Sequence, residues 1–144
     1  MSDEPLGADV ANQGFIGTLT GETNAHGEPI LRWWSIGRLW RLADALPYTE
    51  TPLEELNFVL DNHSNLVACL DGRALLNRDV AEKARRIWEA DLNYPIILIG
   101  DQWIADGSHR VMKAHALGLP TIRVVRFAVV PVPDFVRSRE DFIR

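Results

Sequence analysis

Residues 94–127 read YPIILIGDQWIADGSHRVMKAHALGLPTIRVVRF, and this stretch decides the fold. The apolar run over 95–99 has the length and β-branched content of a buried strand. Gly100-Asp101 is turn chemistry, and a second short strand follows over 103–105. Asp106-Gly107-Ser108-His109-Arg110 then opens a helix expected over 108–117, with Gly118 placed to close it in the left-handed conformation. The next apolar run, 121–130, is a third strand ended by Pro131 and Pro133.

A strand that enters a helix through glycine leaves backbone N–H groups facing solvent. With the helix dipole, they favour an anion. Asp106 is expected as the N-cap, accepting from the N–H of Ser108 or His109. Gly107 lets a ligand approach the backbone closely. Arg110 has the planar fork that grips a phosphate through two bonds, and Lys113 lies one turn further on. Gly107, Ser108, His109, Arg110 and Lys113 are therefore the candidate ligands for a phosphate or a nucleotide. His109 is open to three roles: phosphate contact, proton transfer or stabilisation of the turn. Asp106 and His109 are the candidates for catalysis, and Asp106 is the carboxylate placed to help a metal. The alternative for the same residues is a plain helix cap on a non-catalytic interaction module.

Outward from this unit the pattern stays α+β. Ser35 reads as the N-cap of a helix over 36–46, with Ile36, Leu39, Trp40, Ala43 and Leu46 on one face. Residues 48–51 read as a short strand, and Pro52 begins a brief helix carrying Leu53, Leu56 and Leu60. Residues 61–77 are the least readable, a turn at Asp71-Gly72 apart. The stretch 78–90 is helical, with Val80, Ala84, Ile87 and Trp88 as its stripe and a Glu82 to Arg86 pair on its surface. A small mixed sheet flanked by helices satisfies the whole. The expected organisation is an irregular lead-in over 1–29, one domain over 30–130, and a tail over 131–144 holding a last short helix.

Composition narrows the function classes. The chain has 144 residues, 47% of them apolar, and five tryptophans, so a folded core is expected. No apolar run approaches the roughly 20 residues of a membrane span. The acidic start lacks the basic and apolar regions of a secretory signal, and a cytoplasmic protein is the simple expectation. Cys69 is the single cysteine, which excludes an intrachain disulfide and a thiol-rich metal site. Net charge is −5. Residues 1–106 hold 8 Lys/Arg against 17 Asp/Glu, a charge of −9, and residues 107–144 hold 7 against 3, a charge of +4. An acidic chain is a poor partner for DNA bound through phosphate neutralisation, but its basic third suits a nucleotide. His26, His63 and His115 are too dispersed for a metal motif. Trp33, Trp34 and Trp40 read as core or rim aromatics rather than base-stacking platforms. Trp103 leads into the site, and Arg78 is a distant candidate to reach it.

The central motifs resemble those of the ParB/sulfiredoxin superfamily. Asn93-Tyr94-Pro95-Ile96-Ile97-Leu98 is similar to its LQPIVV-type strand, and Gly107-Ser108-His109-Arg110 to its Gly-x-x-Arg helix start. The likeness is closer to small stand-alone ParB-like (ParB N-terminal/nuclease-like) proteins with ADL-x-YPIIL, DG-x-HR-x-x-KA and G-x-x-x-I-x-VVRF. Ala90-Asp91-Leu92, Lys113-Ala114, Gly118 and Val124-Val125-Arg126-Phe127 continue that match, and LWRLADALP and PLEEL resemble its beginning. The resemblance spans 35–127 and implies a ParB/sulfiredoxin-like fold with a nucleotide at the helix start. Branches of the family differ. Partitioning proteins bind CTP there and add a DNA-binding domain for which this chain is too short. Sulfiredoxins place a catalytic cysteine where Ser108 stands, so their chemistry is not expected. A free-serine kinase branch with a similar Asp-Gly-x-His-Arg start implies NTP hydrolysis or phosphoryl transfer with Mg²⁺. The nuclease label attached to such domains gives a nuclease or nucleic-acid-binding alternative, which the acidic balance disfavours.

Overall fold

The computed structural model describes residues 14–61, 76–139 and 141. In chain order the elements are β1 (Phe15–Thr23), β2 (Pro29–Ser35), α1 (Ile36–Ala43), β3 (Thr49–Pro52), a 3-10 turn (Leu53–Leu56), α2 (Asn57–Leu60), α3 (Asn77–Glu89), β4 (Ile96–Ile99), β5 (Trp103–Asp106), α4 (Ser108–Ala116), β6 (Thr121–Phe127) and β7 (Phe135–Ser138). The class is α+β as expected, with the strands divided between a three-stranded sheet, β1-β2-β7, and a four-stranded sheet, β3-β6-β4-β5. The described residues divide into two compact units, one made of those up to Pro47 with those from Phe127 onward, and the other of those within Tyr48–Arg126.

In the first unit, the lead-in expected to be irregular contains β1, paired antiparallel with β2 through Ile16↔Trp34, Gly17↔Trp33 and Leu19↔Leu31. Its Thr- and Gly-rich sequence carries no apolar alternation, so its order comes from the partner strand. The turn is set by Asn24, whose Oδ1 accepts from the N–H of His26 (2.9 Å) and of Glu28 (3.0 Å). Gly17 is fixed by packing, since a Cβ there would lie 2.9 Å from the Trp33 ring.

The tail departs from expectation in part. Residues 135–138 form a strand antiparallel to β2, and helix begins only after it, at Arg139 and Asp141, where the Asp141 N–H donates to Ser138 Oγ at 3.1 Å. Tertiary partners override local preference here. Trp33 Nε1 donates to the Arg137 carbonyl (3.0 Å), Trp34 Nε1 donates to the Pro131 carbonyl (2.8 Å), and Asp134 pairs with Arg38 (3.2 Å). Ser35 caps α1 as read from the sequence, accepting from the Arg38 N–H at 3.2 Å. Ile36, Leu39, Trp40 and Ala43 are buried, but the helix stops at Ala43 and Leu46 is exposed.

In the second unit, all four residues of β4 are buried. Leu53, Leu56, Ile96, Leu98, Val111, Ala114, Ile122 and Val124 make one core cluster. Each such aliphatic chain contributes about 1.5–3 kcal/mol, against about 0–1 kcal/mol for a surface ion pair, so packing decides this unit. Pro52 ends β3 and is also the N-cap of the 3-10 turn that, followed by α2, makes the expected brief helical stretch, and the turn places Leu53 and Leu56 in the core. α4 closes as expected on Gly118 (φ +71°). The Leu119 N–H reaches the Ala114 carbonyl and the Gly118 N–H reaches that of His115, each at 3.0 Å, which is the Schellman arrangement. The helix expected over 78–90 is α3, but its stripe is not core. None of its residues is buried, and Val80 and Trp88 are 50% and 71% exposed.

Ser35→Ala removes the hydroxyl that accepts from the Arg38 N–H at the start of α1 and is expected to cost about 1 kcal/mol in urea unfolding, with the slope unchanged. An unaltered midpoint would show that the cap contributes nothing.

Candidate anion-binding site

The site is built on the passage from β5 into α4. Asp106 is still paired with Ile97 in the β4–β5 ladder, so the N-cap position falls on Gly107 and not, as the sequence suggested, on Asp106. The reason is conformational. Gly107 adopts φ +113°, which turns the strand into the helix within one residue. The space is as restrictive as the dihedral, because a Cβ here would lie 2.6 Å from Ile96 Cγ2 and 2.9 Å from an Arg110 guanidinium nitrogen. The Gly107 carbonyl accepts from the N–H groups of Arg110 (2.9 Å) and Val111 (3.1 Å). The N–H groups of Ser108 and His109 precede the first residue able to reach back to a helical carbonyl. Val111 and Ala114 anchor the helix in the core, and Ser108, His109 and Arg110 are half-buried at the rim.

Arg110 donates from Nη1 to the Pro95 carbonyl at 3.1 Å, tying the helix start to the beginning of β4. Burial lowers its affinity for its proton, and the charges of Asp106 and Asp91 and the Tyr94 hydroxyl oppose that shift. An arginine remains a cation under such a shift. His109 is also pushed below its ordinary value, first by burial and then by Lys83 and Arg86, with Asp106 pulling the other way and Arg110 adding to the fall. It is therefore a neutral imidazole near pH 7, which weakens it as a general acid.

Lys83 and Arg86 had not been read as site residues. They lie three apart on α3, hence on one side of that helix. The expected Glu82 to Arg86 pair is replaced by Arg85, which takes both Glu82 (2.6 Å) and Glu89 (3.6 Å). Among the described residues, Lys83 and Arg86 make no ion pair. The signal was present in the sequence, since Arg85 stands at i+3 from Glu82 and i−4 from Glu89.

Lys113 has a different position from Arg110. Its ammonium donates to the carbonyls of Trp88 (2.6 Å) and Ala90 (2.8 Å), at the end of α3. Asp106 stands by the site, yet no three His, Cys, Asp or Glu side chains converge as metal ligands among the described residues. The donor set beside Arg110 fits an anion better than a dedicated divalent cation. His26 and His115 are exposed and separate, and His63, Cys69 and the Asp71-Gly72 turn lie outside the described residues. Trp33, Trp34 and Trp40 are buried and offer no ring for stacking, Trp103 is half-buried in β5, and Arg78 is exposed at the start of α3. Two clefts of this unit, of about 230 Å³ around Glu50, Ile122 and Arg123 and about 460 Å³ around Glu54, Asp101 and Arg126, include none of residues 107–110.

No helix of the described residues is long and apolar enough to cross a membrane. Comparison with family models, curated proteins and solved structures gives no significant match.

Two outcomes follow from this geometry. Gly107→Ala meets both a contact with Ile96 and a disfavoured dihedral, so it is expected to destabilise by about 1–3 kcal/mol in chemical unfolding. A loss below about 0.5 kcal/mol would place the strand-to-helix turn elsewhere. For His109, the folded state resists protonation more than the unfolded chain, so the unfolded chain binds more protons below the ordinary value near 6.5. Stability therefore falls as pH drops through that value and is level above it. His109→Gln should flatten the dependence of Tm between about pH 7 and about pH 5; identical profiles would remove the buried-imidazole account.

Proposed function

We propose that this chain binds a phosphate-bearing ligand, a nucleotide in the first instance, at the Gly107-Ser108-His109-Arg110 start of α4. The observation that carries the reading is convergence. Two first-turn amides and the Arg110 guanidinium meet at one helix terminus, and the charges of Lys83 and Arg86 on α3 add to the burial that lowers the proton affinity of His109 there. Cations acting on one partly buried group disfavour further positive charge there, and a polyanion relieves that cost. The ParB-like resemblance of residues 90–127 supports the same ligand class.

Binding is the core of the proposal, with hydrolysis or phosphoryl transfer as its extension. Arg110 grips a phosphate oxygen, the amides of Ser108 and His109 hold another, and His109 donates one hydrogen bond as a neutral imidazole. Mg²⁺ carried by the nucleotide would neutralise developing charge if transfer occurs. Asp106 is then the side chain to hold it. Nuclease activity is the weaker reading, because the described residues assemble no carboxylate cluster for a metal.

A thermal-shift screen of nucleotides with and without Mg²⁺ tests the proposal, since a ligand bound to the native state alone raises Tm. The wild-type protein should respond to at least one nucleotide. Arg110→Ala should abolish the response. Because Arg110 also holds the Pro95 carbonyl, the double variant Lys83→Ala/Arg86→Ala provides a second check on groups that no ion pair ties down. That variant should weaken binding about tenfold or more. Full response in both variants would refute the site.

A further inference from the structure

α3 is held unlike any other long helix of the second unit. It buries none of its residues, although Leu76, Val80 and Trp88 give it apolar surface. Among the described residues its polar contacts are mostly internal, Arg85 with Glu82 and Glu89 and the Leu76 N–H with Asp79. One side chain from another element reaches its C-terminal end. Lys113, from the middle of α4, donates to the Trp88 carbonyl at 2.6 Å and to the Ala90 carbonyl at 2.8 Å, and its ammonium stands 5.4 Å from the centre of the Trp88 ring. The last carbonyls of a helix have no internal donors and carry its negative pole, so a cation there makes charge-assisted bonds. The same helix carries Lys83 and Arg86.

We propose that Lys113 is a latch: its ammonium holds the end of α3 against α4 and thereby positions Lys83 and Arg86 beside His109. Lys113 is a positioning residue and does not touch the anion. The consequence for binding rests on the function proposed above, whereas the latch itself does not. Among the described residues Lys113 is the cationic clasp on a helix with no buried residue, and α3 opens as a unit while β4 and α4 stay packed. Neutralising the ammonium, by substitution or by acylation, releases it.

Hydrogen exchange of the whole chain, read by peptide mass spectrometry, separates these outcomes. In Lys113→Met, which keeps the aliphatic stem, amides of 77–89 should exchange about tenfold faster or more, with those of 96–99 unchanged. Lys113→Arg should restore part of the protection. Trp88→Ala, which leaves the backbone carbonyls in place, should have the smaller effect. Unchanged exchange over 77–89 in Lys113→Met would overturn the latch, as would equal acceleration across 96–99. A parallel titration with inorganic pyrophosphate reads the positioning. Lys113→Met should weaken it several-fold in the native background, yet have no further effect on top of Lys83→Ala/Arg86→Ala. An equal loss in both backgrounds would show that Lys113 touches the anion itself. If the wild-type protein fails to bind pyrophosphate while α3 is still released, the anion site falls and the latch stands.

Discussion

The second unit depends on one conformational constraint: β5 must become α4 within a single residue, directly above Ile96. Only glycine meets it, because the dihedral is positive and the space where a Cβ would stand belongs to the Ile96 side chain. That contact joins the site to the core. Ile96 is fully buried among Leu53, Leu98, Val111 and Val124, and Arg110, three residues after Gly107, bonds the carbonyl that precedes Ile96. The first turn of α4 is therefore placed by close packing, not by surface contacts. A terminus held this way presents its amides in fixed directions, which is what preorganised binding needs.

Electrostatics runs against the composition of the chain. The protein is acidic overall, yet the groups acting on His109 are three cations and one carboxylate. Carboxylates nearby on α3 are drawn to Arg85, whose two pairs are exposed and worth little to stability. Their effect on arrangement is larger, because among the described residues they leave Lys83 and Arg86 without ion pairs. Overall charge thus says little about the local field, which decays over about 8 Å at physiological salt.

Much of this was legible. The order hairpin, helix, strand over 94–127, the Ser35 cap and the Gly118 closure all rest on short-range rules of turns and caps, and the structure has each of them. Three things were not. β1 has no alternation of its own and is ordered by Trp33 and Trp34 across the hairpin. Residues 135–138 pair with a strand about a hundred positions earlier, so no local window contains their partner. The stripe of α3 carried a valid helical period, but periodicity reports which residues share a face and not whether anything covers it. At the site, Gly107, Ser108, His109 and Arg110 stood out because they are contiguous. Lys83 and Arg86 did not, since their effect on His109 is electrostatic and comes from another helix.

The two helices beside the site are held by different physics, and this governs how the site responds to change. α4 is anchored through Val111 and Ala114, both fully buried, so moving it would open a cavity and break many dispersion contacts at once. α3 is joined to α4 through Lys113 at its carbonyl end, a polar contact in partly exposed surroundings. Charge-assisted bonds of this kind are directional and sensitive to salt and to loss of charge, whereas dispersion contacts are neither. A perturbation at the surface therefore displaces the cations contributed by α3 before it disturbs the amides contributed by α4. On the proposed anion-binding reading, the fixed part of the site sets where the anion sits, and the adjustable part sets how strongly the surroundings attract it.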